Sequence, residues 1–193
     1  MKTSELSLRK AVEILNAGGI IAYPTEAVWG LGCDPLNEEA LADLIQLKDR
    51  SWKKGLVLVA AHVDQLEPYI APMSAAMRKR VTATWPGPST WVLPASAGLS
   101  PLLTGGRSTI AVRVSAHPLV SALCQMFDDA LVSTSANHSG HRPARSALQV
   151  QSWFGASIDF VLAGSTGSEP GPTEIRDAQT GKVLRPIQRV GGE

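Results

Sequence analysis

Apolar residues in this chain come in short runs, the longest unbroken one being Leu56 to Ala61, and the stretches between those runs carry a helical period. Such runs are strand-length and far below the roughly 20 residues a membrane-spanning helix needs. Ile20 to Tyr23, Leu56 to Ala60, Thr90 to Leu93, Thr109 to Val114, Ala130 to Ser133 and Asp159 to Leu162 read as strands. Leu8, Ala11, Val12 and Leu15 fall at i, i+3, i+4 and i+7, with Ser7 as cap and Gly18-Gly19 as stop. Asn37 caps a second helix that carries Glu38 and Glu39 in its positive first turn and turns Leu41, Leu44 and Ile45 inward. Further helices are expected from Ser74 to Thr84, from Pro118 to Phe127 and from Ser146 to Phe154, and a terminal hairpin turns at Asp177 to Gly181. Alternating strands and helices make this an α/β chain, and the mixture of crossovers and hairpins calls for a mixed sheet. No repeat or long linker divides it, so residues 1–193 are expected to form a single domain, with 44% apolar residues to fill its core.

Charge excludes some functions. Lys and Arg number 18 against 17 Asp and Glu, a net +1, so no global field drives bulk binding to nucleic acid or membrane. Charges at Lys2, Glu5, Arg9 and Lys10 stand where a signal peptide would need its apolar stretch, which points to the cytoplasm. Cys33 and Cys124 have no metal or disulfide spacing, and His138 and His141 lack a third ligand nearby, so no metal site is expected.

The familiar phosphate-loop, nucleophile-elbow and zinc signatures are absent, and Gly30-Leu31-Gly32 is followed by Pro35 where a dinucleotide loop needs glycine. What remains is a set of polar segments, each expected at the carboxyl end of a strand, where open α/β sheets place ligands. Pro24 to Gly32 reads as one long loop. Lys48-Asp49-Arg50 either complements a helix C-terminus or receives a polyphosphate. Trp85-Pro86-Gly87-Pro88-Ser89-Thr90 reads as a rigid turn, and Arg113 interrupts an apolar strand on the same face as Ala111. Ser133 to Gly140 packs hydroxyls and an amide after a strand, suited to cradling an oxyanion or simply to solvation. Glu26 and Asp34 are the nearest carboxylates for a metal or an amine, although turn or cap duties are commoner for such residues.

In this order, Pro-Thr-Glu-x-x-Trp-Gly-Leu-Gly, Lys-x-Arg, Trp-Pro-Gly-Pro-x-Thr, Val-Arg-Val-x-x-His-Pro and Ser-Thr-Ser-Ala-Asn-x-Ser-Gly closely resemble the YrdC-like (TsaC-type) threonylcarbamoyl-AMP synthases over nearly the whole chain. The resemblance implies an open, twisted mixed sheet with helices packed on it and a concave basic face. It implies synthesis of L-threonylcarbamoyl-adenylate from ATP, L-threonine and bicarbonate with release of pyrophosphate, the first step of N6-threonylcarbamoyladenosine formation at position 37 of tRNA. Mg2+ is expected with ATP, and weak tRNA contact and downstream threonylcarbamoyl transferase proteins as partners. By motif, Lys48, Arg50, Ser135 and Asn137 match the family's ATP-associated catalytic tetrad. Thr25, Arg113, Ser133 and Thr173 match positions around threonine, and Thr109 and Arg185 match further nucleotide contacts. Arg189 offers a second C-terminal arginine, but Arg185 has the better spacing from Thr173. The chain departs from the family pattern at Trp29, commonly Tyr or Phe, and at Gly55 and Ser115, where Pro is frequent.

Two other readings compete. An RNA-binding module would use Lys53, Lys54, Arg142 and Arg145, and a carbamoyl-adenylate former like the hydrogenase-maturation proteins would share the fold.

Overall fold

The elements follow from caps and periodicity. In a computed structural model, which describes residues 4–187, α1 spans Glu5–Asn16 and is capped by Ser4, whose side chain accepts from Ser7 N. Ser7, the expected cap, lies one turn inside, because Ser4 directly precedes the acidic Glu5 and leaves Leu8, Ala11, Val12 and Leu15 on one face. β1 spans Ile21–Pro24 and pairs antiparallel with β2, Trp29–Gly32. The long loop expected from Pro24 to Gly32 is therefore a hairpin with a short turn at Thr25 to Val28, which corrects the sequence reading. α2 spans Glu38–Leu47, with Asn37 Oδ1 accepting from Ala40 N at 2.9 Å. β3 spans Val57–Ala60 and α3 Ala75–Thr82. β4 spans Ser89–Pro94, the four-residue α4 Pro101–Thr104, and β5 Thr109–Val114. α5 spans Pro118–Phe127, β6 Leu131–Ser135 and α6 Ala147–Phe154. β7 spans Phe160–Val161, and β8, Glu174–Asp177, forms the expected terminal hairpin with β9, Val183–Arg185.

The nine strands form one mixed sheet in the order β7-β1-β2-β6-β3-β5-β4-β8-β9. One face is covered by α2, α3 and α6, whose Leu41, Leu44, Val81, Val150 and Phe154 join Leu31, Leu58, Val112 and Val132 in the larger apolar cluster. Burying each such side chain contributes about 1.5–3 kcal/mol. The other face is covered only in part. There α1 and α5 place Leu15, Val120 and Leu123 against Ile21, Val59 and Leu131. Leu131, Val59 and Arg113 lie in one register row across β6, β3 and β5, so the same face runs from apolar beneath α5 to charged beyond it. The next row, Ser133, Val57 and Ala111, continues that uncovered ground.

The link from β7 to β8 completes the enclosure. Seven strand spacings of roughly 4.8 Å make about 34 Å, and the intervening residues 162–173 reach only about 40 Å when extended. The segment therefore crosses the sheet as a strap with little slack. Gly167 N donates to Thr25 O at 2.9 Å, Glu169 N to Glu26 O at 3.1 Å, and His117 Nε2 lies 3.1 Å from Ser165 O. Among the described residues no helix is long and apolar enough to cross a membrane.

Candidate active site

Beneath the strap lies a cavity of about 120 Å³, lined among others by Thr25, Glu26, Thr90, Arg113, Ser133 and Thr173. That volume is below the roughly 300 Å³ at which drug-sized pockets begin, which suits a small polar metabolite. A second cavity of about 120 Å³ adjoins it, lined by Lys48, Arg50, Lys54, Ser135, Asn137, Ser139 and Gly140. Arg50 and Ser135 line both, so the two share a wall.

The first cavity is held by a polar network. Arg113 Nη1 donates to Thr173 Oγ1 at 3.0 Å, Thr173 Oγ1 lies 3.1 Å from Thr90 Oγ1, and Arg185 Nη2 donates to Thr173 O at 2.8 Å. Arg113 Nη2 pairs with Glu26 Oε2 at 3.2 Å, and both side chains are only 7% exposed. That approach lacks hydrogen-bond alignment, and Glu26 Oε2, Arg113 Nε and Arg185 Nε are buried without a hydrogen-bond partner. Thr25 Oγ1 donates to Val28 O at 2.8 Å, which fixes the β1–β2 turn. Gly30 makes the floor possible, since a Cβ there would come within 3.2 Å of Thr25 Cγ2 and 3.5 Å of Ser133 Oγ.

The second cavity is built by the end of β6 with the loop after it and by the segment that follows α2. Ser135 Oγ donates to Asn137 Oδ1 at 2.6 Å, and Asn137 Nδ2 donates to His138 O at 2.9 Å and His141 O at 2.8 Å. Lys48 is 3% exposed, and its ammonium donates to Ser135 O and, at 2.7 Å, to Asn137 O. It thus staples the loop while lining the cavity. Arg50 Nη2 donates to Gly55 O at 2.9 Å. Gly55 turns at φ +64, a conformation that a proline, held at about −65°, could not adopt.

These cations stand close together with little to balance them. Burial, with Arg50 nearby, pushes the Lys48 ammonium down to about 7. Burial first and Arg185 second lower Arg50, while burial and then Arg113 lower Arg185. A bound polyanion would relieve this strain and return the proton to Lys48. At pH 8, ATP binding is expected to take up close to one proton, read as a calorimetric heat that depends on buffer ionisation enthalpy and vanishes in Lys48→Met. The same shift sets a stability trend. An unfolded lysine keeps its proton up to about 10.4 and the folded one loses it above about 7, so Lys48 adds stability as pH rises, about 1 kcal/mol between pH 7 and 8. Denaturant titrations at the two pH values, with Lys48→Met as reference, measure it.

Nine of the ten residues singled out by the sequence meet at these cavities: Thr25, Arg50, Arg113, Ser133, Ser135, Thr173 and Arg185 at the first, with Lys48 and Asn137 joining at the second. Thr109 does not; it opens β5 opposite Pro94, four residues before Arg113, and lines neither. Arg189 lies outside the described residues. The segments also do not all sit at carboxyl ends of strands, since Ser89 begins β4 and Arg113 lies within β5. Asp34 serves a turn, accepting from Leu36 N at 2.8 Å. Thr90 and Glu26 reach the site through pairings remote in sequence; the sequence offers Glu26 as a partner for a metal or an amine, whereas only its place in a quoted motif points to Thr90.

The Sua5/YciO/YrdC family model, described as "Telomere recombination", matches residues 13–187. The chain is 52% identical over 178 residues to the threonylcarbamoyl-AMP synthase of Nitrosococcus oceani, covering 92% of this chain and 96% of that one. It is 51% identical over 183 residues to that of Halorhodospira halophila, covering 95% and 96%. The crystal structure of P. abyssi Sua5 complexed with L-threonine superposes with a TM-score of 0.90 at 30% identity; the match covers 97% of this chain and 56% of that longer one. E. coli YciO shares the fold with a TM-score of 0.85 at 24% identity, covering 98% and 92%. The matched architecture and sequence run through every element that builds the two cavities, and this chain belongs to the Sua5/YciO/YrdC family.

Proposed function

We propose that this chain is an L-threonylcarbamoyl-AMP synthase, which joins L-threonine, bicarbonate and ATP and releases pyrophosphate, in the first step of threonylcarbamoyladenosine formation on tRNA. The observation that carries the reading is the shared wall: a small cavity with both charge signs opens beside a purely cationic and hydroxyl-rich one, with Arg50 and Ser135 in both. The first suits an amino acid and the second a triphosphate. The amine of threonine captures bicarbonate, and the carbamate oxygen then attacks the α-phosphorus in line with departing pyrophosphate. Such chemistry asks the protein for positioning and charge neutralisation.

Arg113 receives the threonine carboxylate, with Thr173 and Arg185 bracing it, while Thr25 and Ser133 face the hydroxyl. Arg50, Lys48 and the Ser135–Asn137 loop receive the phosphates. Thr109 stays outside this assignment. Mg2+ would accompany the nucleotide and help neutralise its phosphate charge beside Lys48 and Arg50. The reaction belongs in the cytoplasm, where its substrates and downstream transferase proteins meet. Lys53, Lys54, Arg142 and Arg145 are exposed, and they give tRNA a weak contact near the second cavity.

Amino-acid choice tests the reading. Serine keeps the hydroxyl and loses one methyl, worth about 1 kcal/mol, so it should be the nearest competitor. Valine keeps the shape but leaves buried partners unpaired and should be rejected more strongly. Comparable turnover of valine and threonine, followed as adenylate product by mass spectrometry, would overturn the hydroxyl assignment.

A further inference from the structure

Glu26 is the one carboxylate among the described residues lining the two cavities, where the other charged side chains are Arg113, Arg185, Arg50, Lys48 and Lys54. Any cationic group entering this ground has a single favourable destination.

The carboxylate is held for that purpose from several directions. Its Oε1 accepts from Ser115 Oγ at 2.6 Å. Ser115 Oγ in turn accepts from His117 N at 3.1 Å, so its one proton is free for Glu26. The backbone is clamped as well, because the strap donates to Thr25 O and Glu26 O. Oε2 is left with the unaligned ion pair to Arg113 and no hydrogen bond, though the side chain is 7% exposed. A buried carboxylate oxygen without a donor is costly unless a ligand supplies one. Beside it, Arg113 Nε is likewise without a partner. One unpaired acceptor next to one unpaired donor, on two residues that line a cavity of small-metabolite size, is the complement of a zwitterion.

We propose that Glu26 is the catalytic residue that binds the α-ammonium of the amino acid and takes its proton, an inference that rests on the synthase reading above. An ammonium has no lone pair, so the amine must be freed before it can attack. The N–H bond breaks, its electron pair stays on nitrogen, and the proton passes to Glu26 Oε2. The lone pair then forms the N–C bond to the bicarbonate carbon. The C–OH bond breaks, and hydroxide leaves as water with the proton that Glu26 holds. The second nitrogen proton returns to Glu26 and passes to solvent. The sum is one ammonium and one bicarbonate giving one carbamate, one water and one released proton. Ser115 acts as a positioning residue by fixing Oε1.

The test separates amine activation from adenylyl transfer. Forward synthesis needs the free amine, whereas the reverse reaction, threonylcarbamoyl-AMP plus pyrophosphate giving ATP, starts from the carbamate already made. Glu26→Gln is expected to slow forward synthesis about 100-fold while largely keeping reverse transfer. A merely structural role would depress both directions alike, and that result overturns the proposal. Binding gives a second readout with threonine and 2,3-dihydroxybutanoate, which lacks the amine. The wild-type protein should prefer threonine about tenfold or more, and Glu26→Gln should bind the two about equally. A preference retained in the variant overturns it too. If Glu26→Gln does not fold, Glu26→Asp keeps the charge opposite Arg113 but withdraws the carboxylate. Slower synthesis with reverse transfer kept then supports the proposal, and equal loss in both directions overturns it. Failure of the wild-type protein to make threonylcarbamoyl-AMP would instead reject the synthase reading, whereas unchanged synthesis by a folded Glu26→Gln rejects the role of Glu26 alone.

Discussion

Arg50→Ala is expected to lower the turnover of ATP-dependent synthesis by about 10²- to 10³-fold in a protein that remains folded. The guanidinium lines both cavities, is anchored through Gly55 O, and is half-buried beside Arg185, so its charge is held ready before any anion arrives. On the proposed reading, charge that grows on departing pyrophosphate would be stabilised there without reorganisation, lowering the barrier more than it strengthens ATP binding. Arg50→Lys is the sharper variant. It preserves the charge but not the planar fork, and it should stay clearly impaired if phosphate is gripped through two donors. Pyrophosphate release at saturating ATP measures both. A variant that lost only RNA affinity, with synthesis unchanged, would favour the RNA-binding reading.

Arg113→Ala is expected to weaken threonine binding by about 1.5–3 kcal/mol, roughly 10- to 150-fold, with ATP affinity nearly intact. The assignment follows from position: Arg113 lies in the register row of Val59 and Leu131, beyond the ground that α1 and α5 cover, and it pairs with Glu26 and Thr173 in the first cavity. Removing it leaves Glu26 buried without its ion-pair partner, so Arg113→Lys is the control that retains a charge there. Calorimetry with each ligand decides the matter, and a selective loss of ATP binding would reverse the assignment of the two cavities.

Much of the scaffold was legible because local chemistry and tertiary demand agree. Asn37, Ser74 and Ser146 cap the helices they precede, Pro118 opens α5, and the apolar face of α1 is the face it buries. β2 was not legible. Trp29-Gly30-Leu31-Gly32 carries two glycines, and there is little room beside them: a Cβ on Gly32 would lie 2.3 Å from Val132 O of β6, and one on Gly30 3.2 Å from Thr25 Cγ2. The strap was hidden for a different reason. Residues 162–173 have no periodicity, and only the strand order reveals that they must cross the sheet.

The site shows the same division. The cationic and hydroxyl motifs are compact in sequence, so Lys48, Arg50, Ser135 and Asn137 could be picked out together. Their immediate partners could not, because Lys48 finds the carbonyls of Ser135 and Asn137 some 90 residues away. Glu26 looked like a turn residue because nothing in its neighbourhood indicates Arg113 or Ser115, which meet it from β5 and the segment just after it.

The most direct measurement is release of pyrophosphate from ATP with threonine and bicarbonate each omitted in turn, run beside RNA binding by the same preparation. Release that requires both co-substrates and matches the threonylcarbamoyl-AMP formed is the expected result. Release indifferent to threonine, or no release from a protein that binds RNA tightly, would contradict the synthase assignment.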